Sequence, residues 1–359
     1  MSSAGSDFLV LHEIVKAAQE KLPREVWDYL IGGAETETTL KRNRQAIDSL
    51  AFRPRVLRDV SKVDCSRTLF GQRLRIPVFL APIGSLQDLE PGGGATAARA
   101  ANRFGTASML SSRSEPGLEA VAAASDGPNM FQLYVRGDRA WVDDHIRRAI
   151  DAGYFALALT VDLDHYGRRE RDLAKRHVTT ARKNVTGDEH QMLFSWDDVK
   201  RLKDTHDIPM ILKGIATAED AAVALEHGIE GIYVSNHGGR QLDHGRGSID
   251  VLPEVVAEVK GRATVMVDGG FVRGTDIVKA IALGANAVGI GRMFGWGIAA
   301  AGEEGVARVL EILESEMRTC LGLLGATSLD ALNATYLHAA PTVVAAHVVS
   351  AFPLLEEGY

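Results

Sequence analysis

PMILKGIATAEDAAVALEHGIEGIYVSNHGGR, residues Pro209 to Arg240, is the stretch that decides the fold. It opens on a short apolar run, PMILKG, passes through an alanine-rich amphipathic segment, TAEDAAVALEHG, and returns to a second apolar run, GIYVSN. An apolar run of four to eight residues reads as a strand buried on both faces, and two such runs joined by a helical segment read as a parallel βαβ unit. The glycine that closes the helical segment sits where a helix turns into the left-handed region. The same unit recurs along the chain. PVFLAP, TASMLSS, NMFQLYV and FALALTVD precede it and TVMVDGG and AVGIGR follow, which makes eight apolar runs in all. GGGATAARAANRFG, EPGLEAVAAAS, WVDDHIRRAIDAG and GTDIVKAIALGA stand between them as further helical stretches. Eight alternating units predict a (β/α)8 TIM barrel, an α/β fold whose chemistry sits at the C-terminal ends of its strands. A doubly wound open sheet is the structural alternative, but no GxGxxG follows the first strand to support it.

Two segments lie outside the repeat. Residues 1 to about 64 read as an N-terminal helical cap with two helices, the second starting at Pro23, carrying Trp27, Asp28 and Tyr29, and stopping at Gly32. The connection after strand 4, from Leu163 to Ser195, is rich in Arg, Lys and Thr and is too long for an ordinary loop, so it reads as a lid. The whole of 1–359 is expected to form a single barrel domain with 1–64 as its cap.

Composition narrows the partners. With 46% hydrophobic and 24% charged residues, 359 residues bury a large core. A net charge of -7 offers no basic face for nucleic acid. Cys65 and Cys320 stand too far apart in sequence for a disulfide framework or a metal cluster, which fits a reducing compartment. No stretch resembles a signal peptide, and PTVVAAHVVSAFPLL is shorter than the ~20 residues a bilayer span needs, so the expectation is a cytoplasmic protein with no membrane segment.

The expected strand ends carry, in order, Pro82 with Gly84, Ser111, Gln132 with Tyr134, Thr160 with Asp162, Lys213, Ser235 with His237, Asp268 with Gly269 and Gly270, and Gly291 with Arg292. A barrel held together by packing alone has no reason to collect Lys, His, Asp and Tyr on one rim, so this rim reads as a site.

SNHGGRQLD around His237, LKGI at Lys213, TVD at Asp162, FQLYV at Tyr134, GRRERD at Arg169 and DYLIGGAETETTL at Tyr29 follow one another in order. Together they resemble the FMN-dependent 2-hydroxy-acid oxidase and dehydrogenase family, which includes glycolate oxidase, lactate oxidase and mandelate dehydrogenase. The likeness runs from about Leu22 to Gly295. It implies FMN-dependent oxidation of an (S)-2-hydroxy acid to the 2-oxo acid, with electrons passed from the flavin to oxygen or another acceptor. It implies as well a homotetramer or homo-octamer.

Physical chemistry agrees with the roles that the resemblance implies. Oxidation beside a carboxylate needs an anion clamp, a base and an electron sink. The guanidinium fork of Arg240 suits the clamp, and His237, a type with an unperturbed pKa near ~6.5, suits the base. The resemblance further assigns Asp162 to stabilising the imidazolium, Tyr134 to the substrate hydroxyl, Tyr29 to the carboxylate and Arg169 to support of the substrate. It places Lys213 at the polar edge of the flavin ring, with Ser111, Gln132, Thr160 and Ser235 on the ring's rim and the backbone of Ala81, Pro82, Ile83 and Gly84 across its face. Asp268 would meet ribityl hydroxyls, and Gly270, Arg273, Gly291 and Arg292 would surround the phosphate after strands 7 and 8, where many barrels bind one.

Three departures from the family pattern stand out. Val272 occupies a position where many relatives carry a phosphate-binding arginine, and Arg273 follows it. Pro82-Ile83-Gly84 replaces Pro-Thr-Ala, and Arg113 stands where relatives often have an aromatic or apolar residue. Arg113 and the lid are therefore expected to shape substrate choice, favouring dicarboxylic or polar acids, unless Arg113 pairs with Glu115 or points to solvent. Other readings of the same rim are a Schiff-base lyase using Lys213, or a flavin-dependent isomerase or flavin carrier. A metal site of His237 with Asp243 and His244 has irregular spacing and no supporting cluster, so no metal is expected.

Overall fold

The computed structural model describes residues 7–183 and 185–359. Each apolar run becomes a strand of a closed parallel barrel: β1 (Val78–Leu80), β2 (Ala107–Ser111), β3 (Asn129–Leu133), β4 (Ala156–Thr160), β5 (Met210–Ile215), β6 (Gly231–Val234), β7 (Thr264–Val267) and β8 (Ala287–Ile290). Every strand pairs with its sequence neighbour, and β8 closes the ring on β1 through Val288 opposite Val78. The open-sheet alternative is thereby excluded.

The strands are buried on both faces, as their unbroken apolar character requires. Inside the barrel, Phe79, Met109, Met130, Ile211, Tyr233 and Met266 form one core. A hairpin, Arg67–Leu69 with Gln72–Leu74, sends Leu69 and Leu74 into that core from the N-terminal end and closes the bottom. A larger core lies between the strands and the outer helices.

Among the described residues three helices precede the barrel: α1 (Leu11–Lys21), α2 (Arg24–Ile31) and α3 (Thr38–Asp48). The barrel helices are α4 (Gly93–Phe104), α5 (Leu118–Ala123), α6 (Arg139–Asp151), α9 (Trp196–Thr205), α10 (Ala218–Glu226), α11 (Ser248–Val259), α12 (Gly274–Ala282) and α13 (Arg292–Leu324), the last interrupted at Ala301 and Gly302. Among its described residues the lid holds two short α-helices, α7 (Glu170–Ala174) and α8 (Asp188–Leu193). Sequence reading anticipated two cap helices; α3 is the third, and it carries much of what positions the site. The tail returns over the barrel, pairing Leu337–Ala339 with Leu50–Phe52 and packing Phe352 edge-on against Trp296. Cys65 and Cys320 are buried and unpaired, and burial pushes their thiols up to about 11 and about 12, which keeps both protonated and unreactive. Among the described residues no helix is long and apolar enough to cross a membrane.

Candidate active site

The C-terminal rim of the barrel opens into a cleft of about 1360 Å³, its mouth included, roofed by the cap and the lid. Its floor is built from strand ends. His237 follows β6 on a turn whose backbone is left-handed at three consecutive residues, with φ of 57° at His237, 64° at Gly238 and 77° at Gly239. That run of positive φ is available at low cost to glycine but not to histidine, so His237 is held there by its neighbours. Its amide donates to Ser235 Oγ at 3.1 Å, and its ring is gripped on both nitrogens. Nδ1 lies 3.1 Å from Asp162 Oδ1, and Nε2 lies 3.2 Å from the Tyr134 hydroxyl. A carboxylate at Nδ1 fixes the proton on that nitrogen and leaves the lone pair on Nε2, facing Tyr134.

Asp162 is placed by its neighbour on β5. Gly214 has φ 120°, and a Cβ there would lie 2.7 Å from the Asp162 Cβ, so only glycine lets the two strand ends approach. Burial alone would raise the Asp162 carboxyl, but the nearby His237 and Lys213 hold it below the usual range. For His237 burial dominates: together with the Lys213 charge it lowers the imidazole pKa against the pull of Asp162, favouring the neutral ring.

Lys213 is buried and donates to Ser235 Oγ at 3.1 Å. Gln132 Nε2 donates to Thr160 Oγ1 at 2.8 Å, which leaves Gln132 Oε1 buried without a partner. Asp268 accepts the Tyr233 hydroxyl on Oδ2 while its Oδ1 is likewise buried and unpaired. Ala81, Pro82, Ile83, Gly84, Gly270, Gly291 and Arg292 line the cleft, whereas Ser111, Gln132, Thr160 and Ser235 stand at strand ends outside its lining.

The cap closes the other side. Tyr29, on α2, donates to Gly84 O at 2.9 Å, and its ring lies 4.8 Å from the Arg240 guanidinium. Arg240 Nη1 donates to the carbonyls of Tyr29 and Gly32, at 2.7 and 2.8 Å, at the carboxyl end of α2. Arg292 donates to Leu30 O, Gly238 O and Gly32 O, at 3.1, 3.0 and 2.8 Å. Burial and the charge of Arg240 push the Arg292 pKa down to about 9 against the opposing pull of Glu37 and Asp268. Arg169 is buried, stacks its guanidinium 4.2 Å from the Tyr166 ring, and leaves Nε without a partner.

One assignment moves. Arg273 does not line the cleft: it pairs with Glu316, with Nη2–Oε1 at 2.5 Å, and reaches toward Ala351 O. Arg44, on α3, lines the cleft instead, bound to Gly270 O at 3.1 Å and to Asp276 at 2.7 Å. Leu40 and Arg44 from the cap, and Tyr166, Arg136 and Arg182 from the lid side, are lining residues that a reading of strand ends does not find.

Asp243 has structural work. Its carboxylate accepts from Thr36 Oγ1 at 2.6 Å, Thr36 N at 3.0 Å and Thr39 N at 2.7 Å, capping the amino end of α3, while His244 is 64% exposed. Those amides and the Thr36 hydroxyl hold the Asp243 carboxyl far below the usual range despite its burial. Among the described residues no group of His, Cys, Asp or Glu is arranged to hold a metal.

The cleft and the strand ends beneath it fit FMN. Gln132 Oε1, just outside the lining, is a buried acceptor in want of a donor, Lys213 is a buried amine in the lining, and Asp268 Oδ1 is an acceptor for a hydroxyl. A side chain at Gly291 would project into open space, leaving room at the amino end of α13 for an anionic group beside Arg292.

The sequence model of a family described as FMN-dependent dehydrogenase matches residues 18–339. Glycolate oxidase 3 of Arabidopsis thaliana is 41% identical over 348 residues, covering 90% of this chain and 94% of that protein. Glycolate oxidase 1 of Oryza sativa subsp. indica is 42% identical over 343 residues, covering 89% and 93%. A structure of mandelate oxidase with (S)-2-phenylpropionate superposes with a TM-score of 0.86 at 39% identity over 94% of this chain and 100% of that one. The G81A mutant of an active chimera of (S)-mandelate dehydrogenase superposes at 0.87, with 35% identity over 92% and 99%.

Proposed function

The chain belongs to the FMN-dependent dehydrogenase family, and from that membership we propose that it oxidises an (S)-2-hydroxy acid to the 2-oxo acid with His237 as the base. The observation that carries the reading is the file Tyr134–His237–Asp162, joined at 3.2 and 3.1 Å, whose Tyr134 and His237 line one cleft with Arg240 and Lys213. The hand of the substrate follows the (S)-acids named with the mandelate enzymes.

The reaction takes two electrons and two protons from C2–H and O–H and turns the C–O bond into a carbonyl. FMN, when bound, is the two-electron acceptor. His237 Nε2, neutral because burial disfavours its charged form, receives a proton from the substrate. Asp162 steadies the imidazolium that results. The Tyr134 hydroxyl, already at Nε2, is placed to hold the substrate hydroxyl oxygen beside the base.

Arg240 has Nη1 fixed by two carbonyls of α2, which holds the guanidinium plane and leaves its remaining N–H groups for a carboxylate. Tyr29 lies against it to complete that clamp, and Arg169 lines the same cleft. Lys213 and Gln132 would hold the polar edge of the flavin, Asp268 its ribityl chain, and Gly270, Gly291 and Arg292 its phosphate. Membership of the family displaces the Schiff-base reading of Lys213, whose Nζ donates to Ser235 Oγ. The acceptor of the electrons is oxygen or another oxidant, and the proposed assembly is a cytoplasmic homotetramer or homo-octamer.

The test is the colour of the purified protein and its anaerobic bleaching. FMN should be recovered, and its visible absorbance should fall on addition of glycolate, lactate, mandelate or a larger 2-hydroxy acid. A protein that binds FMN and bleaches with none of them would overturn the oxidative reading.

A further inference from the structure

Between Tyr134 and the lid the cleft wall is cationic in a way that the reaction does not use. Arg113, directly after β2, is partly buried on this wall and donates from Nη2 to the carbonyl of Ala181. The sequence alternative in which it pairs with Glu115 is not what forms: among the described residues Arg113 has no carboxylate partner, and its Nη2 goes to the Ala181 carbonyl. Arg182 comes from the lid. The turn that carries it is tied down by Thr180 N on Asp88 Oδ2 at 2.9 Å and by Ala181 N on Ser85 Oγ at 3.0 Å. Its guanidinium carbon lies 3.4 Å from the centre of the Tyr166 ring, and Arg169 meets the same ring. Arg182 too has no carboxylate partner among the described residues, whereas the third guanidinium of this wall, Arg136, is matched by Asp188.

Arg113 is partly buried with one hydrogen bond, to a carbonyl, and Arg182 stands exposed at the cleft mouth on the Tyr166 ring, so two like charges share this wall and an anion between them relieves both their repulsion and the desolvation of Arg113. Burial and the charge of Arg182 both weaken the hold of Arg113 on its proton. Tyr134, which faces His237 Nε2, is within electrostatic reach of Arg113, so the two cations lie along the cleft from the base and not on a remote face.

We propose that Arg113 and Arg182, set against Tyr166, form a second anion site, and that the substrate is a 2-hydroxy acid with an acid group at the far end of its side chain. This rests on the oxidative reading above. Arg240 takes the carboxylate next to the reacting carbon, and Arg113 with Arg182 takes the distal one. The distal anion is a carboxylate in a 2-hydroxy dicarboxylic acid or the phosphate of an acid ending in one; both offer the oxygens that a guanidinium fork binds.

The experiment uses the FMN holoenzyme. Rates of anaerobic flavin reduction are compared for 2-hydroxy diacids of four, five and six carbons, for a phosphate-ended 2-hydroxy acid, and for 2-hydroxyglutaramate and 2-hydroxyvalerate as uncharged counterparts. The anion-ended acid that fits should exceed its uncharged counterpart at least ~10-fold in kcat/KM, with the advantage shrinking as salt is raised. Arg113→Leu, and separately Arg182→Met on the exposed lid, should reduce that ratio ~10-fold more than either changes the rate with uncharged acids. The preferred ending names the source of the anion. Binding is followed in parallel without turnover, by titrating the flavin spectrum with 2-oxoglutarate against 2-oxovalerate, where the same preference is expected. Uncharged acids that bleach the flavin as well as charged ones would overturn the second site and leave the oxidase reading standing. Failure of every 2-hydroxy acid to bleach it would overturn the oxidase reading, and equal binding of the two oxo acids would then overturn the second site as well.

Discussion

Replacing Asp162 by Asn removes one charge from the centre of the site and keeps the side chain's shape. Asp162 Oδ1 lies 3.1 Å from His237 Nδ1, and the two side chains are only 14% and 13% exposed. His237 lines an open cleft with Asp162 directly against it, so an effective dielectric of about 20 applies, where opposite charges about 4 Å apart attract by about 4 kcal/mol. The transition state holds only part of the imidazolium charge, which leaves about 3 kcal/mol, and at about 1.4 kcal/mol per factor of ten the flavin should be reduced ~100-fold more slowly. An asparagine turned to present its N–H to Nδ1 would favour the wrong tautomer and deepen the loss, so ~100-fold is a floor.

The pH profile supplies an independent check. His237 works as the neutral base, and burial with the Lys213 charge places its pKa below the ordinary value of about 6.5. Reduction should therefore rise with pH through a midpoint below about 6.5 and level off above it. Asp162 is what raises that pKa, so in the Asn variant the midpoint should move further down while the plateau drops. Stopped-flow reduction of the holoenzyme from pH 4.5 to 8.5 measures both. A plateau within about threefold of the parent, or a midpoint that moves up, would refute the pairing as the source of the base's strength.

Arg240→Met should weaken the binding of every 2-hydroxy acid and slow reduction as well, each on the order of 10-fold or more, with FMN retained; steady-state KM and single-turnover rates separate the two effects. Gly214→Ala puts a Cβ 2.7 Å from that of Asp162 at φ 120°, so it should displace the carboxylate and slow reduction at least ~10-fold, shifting the pH midpoint down as Asp162→Asn does. Arg44→Leu leaves Asp276 buried without its partner, with Asp48 losing its own, and should cost about 3–5 kcal/mol in denaturant unfolding. The same variant should bind FMN less tightly, because Gly270 loses its tie to α3.

The barrel was legible because each strand is buried on both sides and so announces itself as an unbroken apolar run, with GIYV and TVMV as clear as any. Strand ends then locate His237, Lys213, Asp162 and Tyr134 without further information. Helix α3 was not legible for a physical reason. Its local N-cap residue is Glu37 in a left-handed conformation with no side-chain cap, and the carboxylate that serves instead is Asp243, 204 residues from Thr39 in the chain. A cap supplied from that distance leaves no mark in the residues that flank the helix. Arg273 misled for the converse reason: the arginine nearest the glycine turn in sequence is claimed by Glu316 on α13, and no local pattern shows a partner 43 residues away.

Helix α3 also explains how a strained turn stays in place. Asn43 exchanges hydrogen bonds with Asn236, Nδ2 to Oδ1 at 2.9 Å in one direction and 2.7 Å in the other, and Asn236 Oδ1 accepts the Gly239 amide at 3.0 Å. The next residue, Arg44, holds Gly270 O, so a single helix fixes both the loop of the base and the loop after β7. The lid is fastened to the same region. Arg171 pairs with Glu37 at 2.6 Å, Lys175 pairs with Asp28, and Glu35 N bonds Arg168 O at 2.7 Å. Two positive-φ glycines alone would let the turn after β6 wander, and a histidine at φ 57° would relax out of it. The barrel supplies Asp162 and Tyr134 to the ring, the cap supplies Asn43 to the backbone, and His237 is kept in a conformation it would not adopt unaided because two separate elements bind it at once.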